Sequence, residues 1–202
     1  MDHILISLAA FAFATSVTPG PNNMMLLASG VNFGFQRTVP HMLGISLGHA
    51  LMVFLVGMGL AGVFLAQPLL VTALKVASVA YMLWLAWKIA TAAAPKEGQV
   101  GGRPFSFGQA AAFQWVNPKA WAMALTATTV YAPGSGWAAM AAVAGVFAAV
   151  NLPSVAVWAA MGQGLRRWLA VPGRLRVFNV VMAVLLVASL WPVLRMGGLQ
   201  GH

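Results

Sequence analysis

Val17-Thr18-Pro19-Gly20-Pro21-Asn22-Asn23 decides how this chain is read. It interrupts an apolar run over residues 4–31 that otherwise has the length of a membrane-spanning helix. Pro19 and Pro21 lack the N–H that a helix needs and clash with the preceding turn, and Gly20 between them weakens helix further. In hydrocarbon, backbone groups freed by such a break must find partners inside protein or in a wet cavity. A break at this depth is costly unless it has a use. In transporters that use is a substrate site near the membrane midplane.

Composition sets the class. Of 202 residues, 61% are hydrophobic and 6% charged, with mean hydropathy +0.86. Soluble domains carry about 25% charged residues, so the chain is expected in a lipid bilayer, as one domain of several helices with short loops. There is no cysteine, which excludes disulfides, thiolate metal sites and thiol redox chemistry. A formal charge of +9 suggests nucleic acid in a soluble protein. Here the basic residues flank apolar spans, where the positive-inside rule puts them, and no nucleic-acid partner is expected. Met1-Asp2-His3 lacks the basic start of a cleaved signal peptide, so the first span is expected in the mature protein.

The pattern predicts six spans, at about 4–31, 41–66, 68–93, 107–131, 137–162 and 177–194. The polar stretch with Pro95, Lys96, Glu97, Gly98, Gly101, Gly102, Arg103 and Pro104 is the natural midpoint, and Pro133-Gly134-Ser135-Gly136 reads as a tight turn. Eight of the eleven Lys and Arg residues follow spans one, three and five: Arg37, Lys88, Lys96, Arg103, Arg166, Arg167, Arg174 and Arg176. The connections after spans two and four carry none, while Lys75 and Arg195 lie near the other face. This asymmetry places the odd-numbered loops in the cytoplasm and both termini in the periplasm. Val116-Asn117-Pro118-Lys119 repeats the pattern of Val17-Thr18-Pro19-Gly20, Pro118 standing 99 residues after Pro19. The fold expected is therefore an all-α, six-helix membrane protein made of two inverted three-helix repeats, about 1–95 and 105–196. The first helix of each is broken, and the two breaks meet near the midplane.

A helix restarting after a break presents free N–H groups and the positive end of its dipole. Asn22 or Asn23 is expected to cap the restart in span one, and Asn117 followed by Pro118 has the N-cap and first-turn residue types for span four. Two such ends would cradle a carboxylate, with Lys119 adding a full charge. The bland alternative is that Lys119 snorkels, or satisfies carbonyls that the break exposes. Asp2 and Glu97 are the only acids, one terminal and one in a loop. A substrate amine must then rest on backbone carbonyls, on amides such as Gln114, or on an aromatic face such as Trp121. Doubly cationic substrates are disfavoured.

His49 follows Gly44-Ile45-Ser46-Leu47-Gly48, and His41 opens the same span. His49 is the proton-coupling candidate, against the alternative of a hydrogen-bonded packing histidine, which is the preferred reading. Gly44 and Gly48 have the spacing of close helix contact. Gly57-Met58-Gly59-Leu60-Ala61-Gly62 spells the dinucleotide fingerprint, but inside a continuous apolar span with no strand before it and no acid beyond, so it is rejected. Tyr81, Trp84, Trp87 and Trp121 suit a packed face or an interfacial belt. Asn151-Leu152-Pro153, near mid-membrane in span five, is a candidate kink lining the cavity, against a merely structural kink, which is the preferred reading.

Taken together, Thr18-Pro19-Gly20-Pro21-Asn22-Asn23 and Asn117-Pro118-Lys119-Ala120-Trp121 resemble the LysE/RhtB family of amino-acid exporters. Gly44-Ile45-Ser46-Leu47-Gly48 and the run from Ala80-Tyr81-Met82 to Trp87-Lys88 agree, and the likeness covers essentially the whole chain. The third-span run is most similar to the branch that exports cysteine and O-acetylserine. The resemblance implies efflux of small neutral amino acids or derivatives across the bacterial inner membrane, driven by the proton motive force. It carries Thr18, Pro19, Gly20, Pro21, Asn22 and Asn23, with Asn117, Pro118 and Lys119, as signature residues. One departure stands out: many members have an acid in the second span, in the region held here by His49.

The substrate is expected near Asn22, Asn23 and Asn117, with Gln114, Lys119 and Trp121 around it, and rocking of the repeats would expose it to each side in turn. Protons and lipid are the other partners, and the small-residue surface at Gly44 and Gly48 is compatible with a homodimer. No cofactor, metal cluster or catalytic constellation is evident, which speaks against an intramembrane enzyme. A thiol electron carrier is excluded by the absence of cysteine. The alternative kept open is a channel or a non-transporting membrane subunit, though nothing resembles a selectivity filter.

Overall fold

The computed structural model describes residues 2–92, 103–134 and 136–191. Residues 95–102 of the polar stretch, Ser135 and Arg195 lie outside them. All regular structure among the described residues is helical. The run at the N-terminus is two helices, α1 (Asp2–Val17) and α2 (Pro21–Phe33), bent by 55° where the two prolines stand. Gly34, at φ +81, then turns the chain into α3 (Phe35–Leu55). That helix starts earlier than position 41, because Arg37 and Pro40 sit within its first turns.

The second span is not continuous. A wide turn over Val56–Leu60, with Gly59 at φ +107, separates α3 from α4 (Ala61–Leu65). Only a residue without Cβ adopts that conformation freely, so the glycines of the rejected fingerprint serve a helix break. Pro68 opens α5 (Pro68–Ala90) in the first-turn position that proline favours. α6 (Phe107–Val116) begins with a capping box: Ser106 Oγ accepts from Gln109 N–H at 3.2 Å, and Gln109 Oε1 accepts from Ser106 N–H at 3.0 Å. α7 (Pro118–Val130) follows after Asn117 alone. α8 (Trp137–Leu165) runs through Pro153 as one helix, and a short turn at Trp168–Ala170 leads to α9 (Pro172–Ala188).

Three of these helical stretches are long and apolar enough to cross a bilayer: Phe35–Phe64, Pro68–Ala90 and Trp137–Leu165. The bent pair α1–α2 makes a fourth if it counts as one span. α6 and α7, at 10 and 13 residues, are each too short alone, and α9 has 17 against the roughly 20 that crossing needs. Large apolar side chains point outward along the bundle, among them Ile6, Leu69, Val76, Val130, Val177 and Val184. Water would not tolerate such a continuous surface, whereas lipid does.

α8 is the axle. α1, α2 and α3 all pack along it, and Leu8, Ala12, Met52, Val53, Ala124 and Phe147 close the largest core cluster. The seam between α2 and α8 is backbone-tight: a Cβ on Gly162 would meet the Leu27 carbonyl oxygen and stand 3.0 Å from Gly30 Cα. The seam between α3 and α6 is of the same kind, with Gly44 against the Phe107 carbonyl and Gly48 against Ala111. The small-residue surface is therefore spent inside the chain, which removes the reason given for a homodimer. The packing is reciprocal. The first broken pair lies on α8 and the second, mainly through α6, on α3, while α5 pairs with α9.

Basic residues gather at one end. Phe35 N–H donates to Gln163 Oε1 at 2.6 Å, Val31 packs on Leu169 and Leu175, and Asn179 Nδ2 donates to the Ala92 carbonyl at 3.1 Å. These contacts bring the segments of Arg37, Lys88, Arg166, Arg167, Arg174 and Arg176 together. Lys88 caps the Trp84 ring at 4.7 Å, and Trp84 and Trp87 are exposed as a belt requires.

Candidate functional site

The first break frees carbonyls at the end of α1, and side chains from elsewhere take them up. Asn23 Nδ2 donates to Ser16 O at 2.8 Å and to Thr18 O at 2.7 Å. Trp158 Nε1, from α8, donates to Val17 O at 3.1 Å. Lys119 Nζ donates to Thr18 O and Thr18 Oγ1, both at 2.9 Å, and to Pro19 O at 3.3 Å. The orphan acceptors of a broken helix are thus satisfied inside protein, as hydrocarbon demands. In this arrangement Lys119 satisfies carbonyls that the break exposes. Its position is also favourable for the charge, which sits at the negative end of the α1 dipole.

Neither Asn22 nor Asn23 caps α2. Its N-cap is Gly20, extended at φ −177°, with no side chain bonded to the first turn. Asn23 turns back to α1 instead, and Asn22 turns across to the second break. There Asn22 Nδ2 donates to Gln114 Oε1 at 2.9 Å, and Gln114 Nε2 donates to Asn22 Oδ1 at 3.1 Å. Gln114 is fully buried, and its Nε2 also reaches Ala110 O at 2.9 Å. With both amides occupied elsewhere, the N–H groups of Asn22 and Asn23 stay open at the start of α2, because the first intrahelical bond there is Met24 N–H to Gly20 O. The start of α7 is different. Asn117 caps it as its sequence suggests, Oδ1 accepting from Lys119 N–H at 3.1 Å, and Pro118 has no N–H to offer. One restart is open to an anion, and the other is closed by its own cap.

A small cavity lies between the breaks, lined by Ser16, Gly20, Asn22, Asn23, Gln114, Asn117 and Lys119, with Thr15, His49, Ala120, Met123, Asn151 and Val155 completing it. Its interior measures about 20 Å³, room for a water molecule and not for an amino acid. Two of its groups are buried without partners. Both ring nitrogens of His49 are unbonded, and so is Asn151 Oδ1, whose amide nitrogen donates to Ser16 Oγ at 2.9 Å. The His49 ring meets Phe147 edge-on at 5.2 Å. It is a packing histidine without the hydrogen bond expected of one, which leaves its nitrogens available to whatever enters. His41 is likewise buried and unbonded, but its ring packs tilted against Phe105 at 5.2 Å and does not line the cavity.

Of the residues singled out from sequence, Gly20, Asn22, Asn23, Gln114, Asn117, Lys119 and His49 come together at this cavity. Thr18 and Pro19 meet it only through Lys119, and Pro21 and Pro118 shape the backbone without lining it. Trp121 stands apart. Its indole N–H donates to Trp115 O at 2.9 Å, and its ring packs edge-on against Phe64 at 4.9 Å. It secures the end of α6 instead of offering a face to a ligand. Asn151 lines the cavity, the less favoured of its two readings, and Ser16 was not singled out at all. Both are polar residues at mid-span, which is the signal that finds them.

The model of the family described as LysE type translocator matches residues 13–189. The chain is 33% identical over 189 residues to the cysteine/O-acetylserine efflux protein of Escherichia coli (strain K12), covering 91% of this chain and 94% of that one. It is equally similar to the protein of that name from Escherichia coli O9:H4 (strain HS), at 33% over 189 residues. Against the one from Shigella flexneri serotype 5b (strain 8401) it is 33% identical over 193 residues, covering 93% and 96%. No solved structure matches.

Proposed function

The chain belongs to the LysE family of translocators, and we propose that it exports small neutral amino acids or their derivatives, of the cysteine, O-acetylserine, homoserine and threonine type, using the proton motive force. It is a transporter and not an enzyme. The observation that carries the reading is the cavity where the two helix breaks meet, with open N–H groups on one side and unbonded acceptors on the other. A zwitterionic amino acid needs this complement. Its carboxylate suits the N–H groups of Asn22 and Asn23 at the positive end of α2. Its ammonium suits neutral oxygens, since no carboxylate lines the cavity. Met123 and Val155 bound the space for its side chain, which favours small substrates.

Transport then follows from movement of two units. The six-span, inverted-repeat organisation, with units of about 1–95 and 105–196, is supported by the 99-residue offset of the prolines and by the exchange of packing in which each broken pair lies on the other unit's middle helix. At about 20 Å³ the cavity does not hold a substrate, so transport requires it to widen by relative motion of the units. His49 is the group we assign to proton coupling, as an unbonded imidazole in the cavity wall. The basic end faces the cytoplasm and both termini the periplasm of the inner membrane, by the positive-inside rule.

Export from proteoliposomes loaded with labelled cysteine, O-acetylserine, homoserine and threonine tests the reading against the corresponding amino-acid amides. Selective loss of the amino acids and retention of the amides supports the carboxylate cradle. Equal release of both contradicts it.

A further inference from the structure

Lys119 Nζ is held by three oxygens at once: Thr18 O and Thr18 Oγ1 at 2.9 Å, and Pro19 O at 3.3 Å. Three acceptors answer the three N–H bonds of a primary ammonium, and they sit at the negative pole of α1. The Thr18 hydroxyl gives its own proton to Thr15 O at 3.0 Å, so its lone pairs face the amine. The lysine stem lies flat across the break, its Cδ 2.9 Å from where a Cβ on Gly20 would stand. A Cβ at this position would press on the lysine stem.

We infer that this oxygen triad is the binding subsite for the substrate's ammonium group, occupied at rest by Lys119 as a built-in surrogate that the substrate displaces. The inference rests on the exporter reading. The cavity's unbonded acceptors, Asn151 Oδ1 and the ring of His49, offer single contacts each, and no acid lines the cavity. Exchange of one ammonium for another keeps a cation at the negative pole of α1 and leaves none of the three oxygens without a donor. The displaced amine, on its flexible four-carbon stem, turns to the carboxylate held at Asn22 and Asn23. The cavity's small size agrees, because the room for substrate is the room the lysine gives up. The triad selects primary ammonium ions; quaternary amines lack the N–H bonds to satisfy it.

The test is titration of Lys119→Met and of the unaltered protein, each in lipid nanodiscs, with ethylammonium and with ethyltrimethylammonium. The subsite predicts that Lys119→Met binds ethylammonium at least about tenfold more tightly than the unaltered protein and shows no such gain for the quaternary ion. Equal ethylammonium affinity in the two proteins overturns it. If Lys119→Met and Lys119→Gln fail to fold while Lys119→Arg folds, the lysine is a permanent tie and the inference likewise falls. Should the unaltered protein export amino acids while Lys119→Met ignores ethylammonium, only the subsite is lost. If no amino acid is exported at all, it is the exporter reading that fails.

Discussion

Among the described residues, the amide pair between Asn22 and Gln114 is the side-chain hydrogen-bonded tie between α2 and α6, and its strength can be worked out. Two hydrogen bonds of 2.9 and 3.1 Å join the residues, and Gln114 is fully buried. Hydrogen bonds between membrane helices average about 0.6 kcal/mol and reach about 1.7 kcal/mol at most. A reciprocal pair should then couple the residues by about 1–2 kcal/mol. Asn22→Ala leaves Gln114 with only its bond to Ala110 O, and its buried Oε1 loses its partner. That adds the cost of an unsatisfied acceptor, so the single change is expected to destabilise by about 1–3 kcal/mol. Gln114→Leu removes the buried amide with its partner, and the double variant should cost clearly less than the sum of the singles. Reversible unfolding of the four proteins in mixed micelles closes the cycle. Additivity within about 0.5 kcal/mol would refute the pairing, and with it the claim that the breaks are tied through these amides.

Three further outcomes follow from the same geometry. Gly162→Leu drives a side chain into the α2 backbone and should cost about 3 kcal/mol or more, whereas Gly145→Leu, which meets nothing, should stay within about 0.5 kcal/mol; thermal unfolding of the pair checks both. His49→Leu removes a ring that makes no hydrogen bond, so stability should change by less than about 1 kcal/mol or improve, while gradient-driven accumulation is lost; a variant that still concentrates substrate against its gradient would free His49 of the coupling role. Lys119→Ala should cut export at least about tenfold at unchanged membrane abundance, measured by immunoblot beside flux, since it removes the amine that turns to the substrate carboxylate.

The break in the first helix was legible because proline and glycine act locally: Pro19, Gly20 and Pro21 determine the bend wherever the chain packs. Asn117 was legible as a cap for the same reason, since its oxygen reaches a residue two positions on. The roles of Asn22 and Asn23 were not. An asparagine at a helix start is a cap by propensity, but here two stronger claims compete for it: the orphan carbonyls of Ser16 and Thr18 for Asn23, and Gln114 for Asn22. Those partners depend on the tertiary fold, 92 residues apart in the second case. Gly59 shows the converse limit, because an apolar run reads as unbroken helix until one glycine takes a positive φ. The Gly44 and Gly48 pair announced close contact, but whether the contact lies within the chain or between copies is decided only by where α6 falls.

Gradient-driven efflux distinguishes an exporter from a channel. Proteoliposomes holding the purified protein are loaded with a mixture of labelled small neutral amino acids, and release is followed with and without an imposed pH gradient. The account predicts that at least one of them leaves faster only when protein and gradient are both present, continues to leave against its own concentration gradient, and stops when the pH gradient is collapsed. Release that merely follows concentration whatever the pH gradient would mark a channel. No release of any amino acid would contradict the account.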